Sequence, residues 1–349
     1  MGRIGAVTVR DALVVGAGGM GRAWLDTIAR RSDLRVAAVV DVVPASASAA
    51  VAERGWDVPV FGSVEDALTA VPVGLALNVT IPEAHLEVSS TLLRAGVPVL
   101  SEKPITPTVA DALRLTELSE STGVLIATSQ SRRYSRAIAA FRGALKTRGG
   151  AEQLDVRFFQ NPRFGGFRDA MPHPLLVDMA IHTFDQARFL LEDEPVSVYC
   201  EEFNPSWSWY DGGAAAEAVF SFRNGARFSY SGSWCADGLT TSWNGDWRGT
   251  AQEGTARWDG EAEVVAQGRE GDAEAIDVDH TADGEGLDAA LAEFVAALDG
   301  GPAPSGEIHS NVWSLAMVEA AVQSAERGQK VMLDDVFGEA REELLRSSF

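Results

Sequence analysis

Cysteine is scarce: the 349 residues include two, Cys200 and Cys235, too few for a disulfide framework and in keeping with a reducing compartment. Positive charge is also in short supply. Lys plus Arg total 29 against 50 Asp plus Glu, a formal net charge of -21, and a field of that sign repels nucleic-acid phosphates and anionic lipid unless a local basic patch overcomes it. The sequence contains no such patch. No apolar run approaches the roughly 20 residues that span a bilayer, and Met1 to Arg10 lacks the charged-then-apolar pattern of a secretory signal. These absences predict a soluble, cytoplasmic protein with no nucleic-acid partner, no membrane partner and no metal site.

What is present is enough chain for roughly two domains of about 150 residues each. From Asp11 to about Gln130, short apolar runs alternate with amphipathic stretches, the pattern of a parallel sheet with crossover helices. Ala12–Val15, Arg35–Val40, Leu75–Val79, Val97–Leu100 and Val124–Thr128 are the expected buried strands. Ser63, with Asp66 three residues on, marks a helix start over Val64–Ala70, and Gly96 marks the end of a helix over Glu83–Arg94. After Gln130, strands follow one another at Leu154–Gln160, Val196–Phe203, Ala214–Phe222 and Ala226–Trp234, with Asn224-Gly225 as a two-residue hairpin turn. Helices are expected at Leu175–Leu191, Leu287–Leu298 and Val312–Arg327, the middle one with Leu287, Ala290, Leu291, Phe294, Val295 and Leu298 on one face. The fold class is therefore α/β: a doubly wound parallel sheet over 1–130, then an α+β domain over 131–349 with a largely antiparallel open sheet. Asp259–Asp299 carries 13 acids against one base, Arg269, and reads as a solvated strand-and-turn face rather than a partner-binding surface.

The first expected strand runs directly into Gly16-Ala17-Gly18-Gly19-Met20-Gly21, a G-x-G-x-x-G that opens a helix. Gly16 permits the tight turn, Gly18 lets backbone amides approach a pyrophosphate, Gly21 allows close helix–strand packing, and the helix N-terminus at Gly19 and Met20 favours an anion. A turn needing positive φ would also use glycine, but the strand, the helix and an acid at the right distance favour dinucleotide binding. That acid is Asp41, 20 residues after Gly21, where a carboxylate accepts from a ribose diol and repels a 2'-phosphate. Val42, Val43 and Pro44 offer no compensating cation, so NAD is expected over NADP.

Three further segments carry a resemblance. Asn78-Val79-Thr80-Ile81-Pro82-Glu83-Ala84-His85, Ser101-Glu102-Lys103-Pro104 and Asp178-Met179-Ala180-Ile181-His182 together resemble the Gfo/Idh/MocA oxidoreductases, which include glucose-fructose oxidoreductase and inositol 2-dehydrogenase. The likeness covers about Asp11 to Leu333. It implies a Rossmann domain plus a substrate-binding domain whose open sheet face makes a homodimer or homotetramer, and NAD-dependent hydride transfer between a nicotinamide and a secondary hydroxyl of a sugar, cyclitol or related polyol. Redox-neutral cleavage of a glycoside on retained NAD, and a non-enzymatic NAD-sensing regulator, are the alternatives.

The resemblance also implies roles. Lys103, at the carboxyl end of a buried strand, stabilises the developing alkoxide, and its bond to Pro104 is cis. His182 accepts the hydroxyl proton; Asp178, one helical turn earlier on the same face, fixes a neighbouring hydroxyl or the lysine. Asp185 extends that face and is a candidate to orient His182. Thr80, Pro82, His85, Glu102, Lys103 and Gln130 are expected at the cofactor. Arg132 is expected at a substrate oxygen or the nicotinamide carboxamide, with an interdomain salt bridge as the other reading; Arg133 follows it. Asn161, Arg163 and His173 are expected to meet substrate hydroxyls. The family commonly has glycine where this chain has Ala180. Trp207, Trp209, Trp234, Trp243, Trp247 and Trp258 either stack on a sugar or, the favoured reading, pack the sheet and its interface.

Overall fold

A computed structural model describes residues 9–281 and 284–347. The outer ends of the expected domains, 1–8 and 348–349, and Ala282 and Asp283 of the acidic run lie outside the described residues. The chain divides into two compact units, one of residues 9–129 and 287–312, the other of 130–286 and 313–347.

In the first unit β1 (Arg10–Val15), α1 (Gly19–Ala29), β2 (Leu34–Val40), α2 (Pro44–Ala52), β3 (Val60–Phe61), α3 (Val64–Ala70), β4 (Leu75–Asn78), α4 (Pro82–Arg94), β5 (Val99–Ser101), α5 (Val109–Thr122) and β6 (Ile126–Thr128) alternate. The strands form one parallel sheet in the order β3-β2-β1-β4-β5-β6, the doubly wound arrangement. β1 and β4 are apolar on both faces because helices cover both, as parallel sheets require. Ser63 caps α3, accepting from the Asp66 N–H at 3.2 Å, as the sequence indicates. The edge strand β3 is an addition: two residues carry no periodicity to read.

The second unit opens with α6 (Arg136–Lys146) and β7 (Ala151–Phe159), then a π-helical stretch, Pro174–Ala180, running into α7 (Ile181–Leu191). β8 (Pro195–Phe203), β9 (Ala215–Phe222), β10 (Arg227–Ser233), β11 (Asp246–Ala251), β12 (Gly254–Trp258), β13 (Val264–Gly268) and β14 (Glu274–Ala275) follow. With a late strand added below, they order as β14-β13-β12-β11-β7-β10-β9-β8-β15; β7 and β10 pair in parallel and every other neighbour is antiparallel. One face is an aromatic row: Phe228, Trp247 and Trp258 stack at 6.0 and 6.5 Å, with Phe141 of α6 against Trp258 and Phe184 of α7 against Phe220. Trp234, Trp247 and Trp258 are thus core, whereas Trp207 and Trp243 are exposed. Burying each such side chain contributes about 1.5–3 kcal/mol or more.

The chain closes with α8 (Gly286–Leu298), α9 (Ile308–Arg327), β15 (Val331–Met332) and α10 (Leu333–Ser347). The apolar face read for α8 is buried, but in the first unit: Leu291, Phe294 and Val295 share a core cluster with Ala12, Val14, Trp24 and Leu77, with Leu287 and Leu298 against it. Residues 287–312 therefore depart from the expected single boundary at 130/131. An amphipathic pattern shows which side of a helix is covered and carries no information about what covers it. Among the described residues no helix is long and apolar enough to cross a membrane.

Candidate active site

The glycine loop follows β1. Gly16 has φ +104°, and a Cβ there would lie 2.5 Å from the Val79 carbonyl oxygen; a Cβ on Gly21 would lie 2.1 Å from the Gly16 oxygen. Neither position admits a side chain. Gly18 and Gly19 are the reverse: both are exposed and an added Cβ meets nothing within 4 Å, so the backbone ahead of α1 is open to a ligand. Gly18 is the N-cap of α1 and supplies no side-chain acceptor, leaving the first-turn N–H groups directed outward beside the exposed Met20. Asp41 closes β2 and holds this loop: its Oδ2 accepts from the Ala17 N–H and its Oδ1 from the Val43 N–H, both at 2.8 Å. A carboxylate has room for further donors. Open glycines, a free helix start and an acceptor at the second strand fit a dinucleotide.

At β4 the buried Asn78 donates to the His85 carbonyl at 3.2 Å and to Ser89 at 3.0 Å, and accepts from the Thr80 hydroxyl at 2.7 Å. Pro82 begins α4 after the exposed Ile81. His85 departs from expectation. It is fully buried; Nδ1 lies 2.7 Å from the Pro104 carbonyl oxygen and Nε2 3.1 Å from the Thr80 oxygen. Burial pushes its pKa down, and both ring nitrogens are turned to main-chain oxygens. Its place in the motif reflects bracing of two loops.

Glu102 also turns inward. The Trp24 indole N–H of α1 donates to Oε1 at 2.8 Å and the Lys103 N–H to Oε2 at 3.3 Å, and burial pushes the carboxyl pKa up. It anchors the turn rather than reaching outward to a nucleotide. The half-buried Lys103 follows β5, and its bond to Pro104 is cis, as the resemblance implies. At the end of β6, the buried Thr128 and Ser129 hydroxyls have no hydrogen-bond partner among the described residues, nor does either side-chain polar atom of the buried Asn311. Thr128 and Ser129 sit at the carboxyl edge, where ligands bind in such sheets, and the sequence reading passed over them; Asn311 carries no sequence signal at all.

In the second unit Asp178 lies in the π-helical stretch and His182 in the first turn of α7, with the buried Ala180 between them. Arg168, unmarked in the sequence reading, donates to Asp178 Oδ2 at 2.8 Å and packs over Phe164 and Phe167. Asp185 does not serve His182. It is 1% exposed and bound by Arg133 through two bonds of 2.6 Å, with Ser314 donating at 2.6 Å, so both residues are structural. Asn161 donates to Asp237 at 2.9 Å, and Arg163 lies 3.8 Å from the same carboxylate while stacking on Trp209. His173 sits between Glu202 at 2.5 Å and Glu326 at 3.5 Å, so its ring nitrogens face carboxylates; Glu202 is the main cause of its raised pKa. Gln130 is buried, and its Nε2 has no hydrogen-bond partner among the described residues. Arg132 donates to the Trp243 carbonyl and lies 3.8 Å from Met179 Sδ; among the described residues it forms no ion pair, so the salt-bridge reading is not realised. No group of three or more His, Cys, Asp or Glu among the described residues is arranged to hold a metal ion.

Comparison with known proteins gives the family. Residues 10–130 match the profile of an oxidoreductase family with an NAD-binding Rossmann fold, and residues 153–255 match the GFO/IDH/MocA C-terminal domain. The chain belongs to the Gfo/Idh/MocA oxidoreductase family. Its relatives include an inositol 2-dehydrogenase from Corynebacterium glutamicum, 32% identical over 53% of this chain and 55% of the relative. A 1,5-anhydro-D-fructose reductase from Ensifer adhaerens is 26% identical over 92% of this chain and 98% of its own length. Among solved structures, an oxidoreductase from Agrobacterium radiobacter, in complex with NAD+, L-tartaric acid and magnesium, shares the fold. Its TM-score is 0.85 at 18% identity, covering 94% of this chain and 99% of that one. The family member described here is thus an NAD-binding oxidoreductase.

Proposed function

We propose that this protein interconverts a secondary hydroxyl and a ketone on a sugar, cyclitol or related polyol, with NAD as redox partner. The observation that carries this reading is the attention the fold gives to the residues flanking Lys103. Two polar side chains, the half-buried Glu102 through Trp24 and the buried His85 through the Pro104 oxygen, fix the turn on either side of it. Burying polar groups is costly unless it secures something, and a fixed lysine at a sheet's carboxyl edge is a fixed donor for a substrate oxygen. The relatives named above, which act on inositol and anhydrofructose by their names, supply the substrate class.

Gly16, Gly18, Gly19, Met20 and Gly21 would hold the pyrophosphate through backbone amides, Asp41 the adenosine ribose, and Thr80 and Pro82 the neighbouring ribose. Bound NAD supplies the hydride acceptor. Lys103 donates a hydrogen bond to the reacting oxygen and stabilises its negative charge, His182 takes the hydroxyl proton, and Asp178 holds an adjacent hydroxyl. Acid–base assistance of this kind is worth about 10²- to 10⁴-fold. We assign the cytoplasm as location. Self-association as a homodimer or homotetramer is assigned to the exposed face of the second sheet, where Asp155, Arg157, Glu217, Arg248 and Arg257 offer both signs of charge to a second copy.

The test is NADH formation across a panel of cyclitols, aldoses and glycosides. Lys103→Met is expected to abolish turnover while retaining NADH binding; full activity in that variant would overturn the reading. Product without net NADH would indicate redox-neutral glycoside cleavage, and NAD binding without turnover a regulator.

A further inference from the structure

Charged groups removed from water are nearly always paired. The second unit follows that rule at Arg133 with Asp185, Arg188 with Glu194 and Arg168 with Asp178. Arg132 breaks it. Its guanidinium is packed in protein, with only a carbonyl oxygen, that of Trp243, and the Met179 sulfur as partners among the described residues, although the chain carries 50 acids. Burial pushes its pKa down to about 10, so it is still a cation at neutral pH. The residue as a whole keeps partial exposure.

The surroundings match. Met179 is the residue after Asp178, so the guanidinium sits at the helical stretch that carries the proposed substrate-binding acid. One more buried donor is near it, the hydroxyl of Tyr230, an electrostatic neighbour of Arg132 that has no hydrogen-bond partner among the described residues. Among the described residues no carboxylate forms an ion pair with Arg132.

We propose that Arg132 is the recognition point for a carboxylate on the substrate, so that the preferred substrate is a sugar acid or polyol acid, such as an aldonate or uronate, rather than a neutral polyol. The planar fork of a guanidinium matches a carboxylate. One cation offsets one charge, which favours a monoanion over a phosphate dianion: Arg168 is already bound to Asp178 and Arg163 faces Asp237 at 3.8 Å. The proposal rests on the dehydrogenase reading for the word substrate, but the anion subsite is testable by binding alone.

The experiment compares D-gluconate with D-glucitol, and D-glucuronate with D-glucose, by calorimetric titration of the NADH-loaded protein, alongside NADH formation from NAD with the same four compounds. The wild type is expected to bind the acids about 30-fold more tightly than their neutral partners, about 2 kcal/mol. Arg132→Met, with a melting temperature near wild type, is expected to lose that preference, and Arg132→Lys to retain part of it. Equal binding of acid and neutral partner in the wild type overturns the proposal whether or not the variants fold, as does an acid preference that survives Arg132→Met. Acid preference without NADH formation from any compound overturns the dehydrogenase reading and leaves the anion subsite standing.

Discussion

The indole N–H of Trp24 donates to Glu102 Oε1 at 2.8 Å, tying the helix behind the glycine loop to the turn that presents Lys103. The bond spans 78 residues of sequence and joins the two segments that a dinucleotide oxidoreductase must hold in register. Trp24→Phe keeps the ring and removes the donor, leaving a half-buried acceptor short of a partner. We expect a loss of about 1–3 kcal/mol in stability, read by denaturant unfolding, together with a fall in kcat. An unchanged unfolding midpoint would show that the bond contributes nothing.

Burial raises the Glu102 pKa, so the folded state holds this proton more tightly than the unfolded chain does. The resulting stability is complete below the unfolded value near 4.3 and declines as pH rises through the folded value. Glu102→Gln keeps an acceptor for Trp24 and cannot ionise. Its melting temperature should exceed that of wild type at pH 8, with the gap closing toward pH 4. A constant gap across that range would contradict the assignment.

His173 gives a second titration. Its pKa is raised, first by the hydrogen bond to Glu202, so protonated His173 stabilises the fold below its unfolded value near 6.5 and that contribution disappears as pH climbs through the folded value. His173→Gln should flatten the melting-temperature profile above pH 6.5. Because His173 directly precedes the stretch that carries Asp178, a matching change in the pH profile of kcat/KM is expected.

Asp41 accepts from two backbone N–H groups of the loops that border the cofactor cradle. Asp41→Ala should weaken NAD binding by about 10- to 100-fold, the equivalent of about 1.5–3 kcal/mol for bonds to a charged group. NADH fluorescence titration measures it; wild-type affinity would remove Asp41 from the site.

The Arg133–Asp185 pair is buried on both sides, and Asp185→Ala strands a guanidinium. A loss of about 3–5 kcal/mol follows from leaving such a charge without its partner, and a melting temperature within a few degrees of wild type would refute the structural role given to it here.

The parts of this fold legible in the sequence are those encoded over a few residues. The Gly16–Gly21 loop, the Ser63 cap and the apolar face of α8 each follow from local spacing, and the structure contains all three. Side-chain direction is a different kind of information. His85 lies in a segment that resembles a cofactor loop, yet its ring points at Pro104, 19 residues away. Asp185 extends the face of His182 on paper, but Arg133, 52 residues earlier, claims it. Arg168, the partner of Asp178, ends a three-residue 3-10 turn, Gly166–Arg168, too short for periodicity to mark it. Partner choice among charged groups is decided by which elements pack together, and no window of sequence shows that.

The return of α8 into the first core has a consequence for synthesis. On the ribosome, the segment to Ser129 emerges long before Leu291, Phe294 and Val295 are translated, so nascent Trp24 and its apolar neighbours wait for a lid made more than 150 residues later. The nucleotide-binding half cannot complete itself as it is made; it matures only after the intervening half has been delivered.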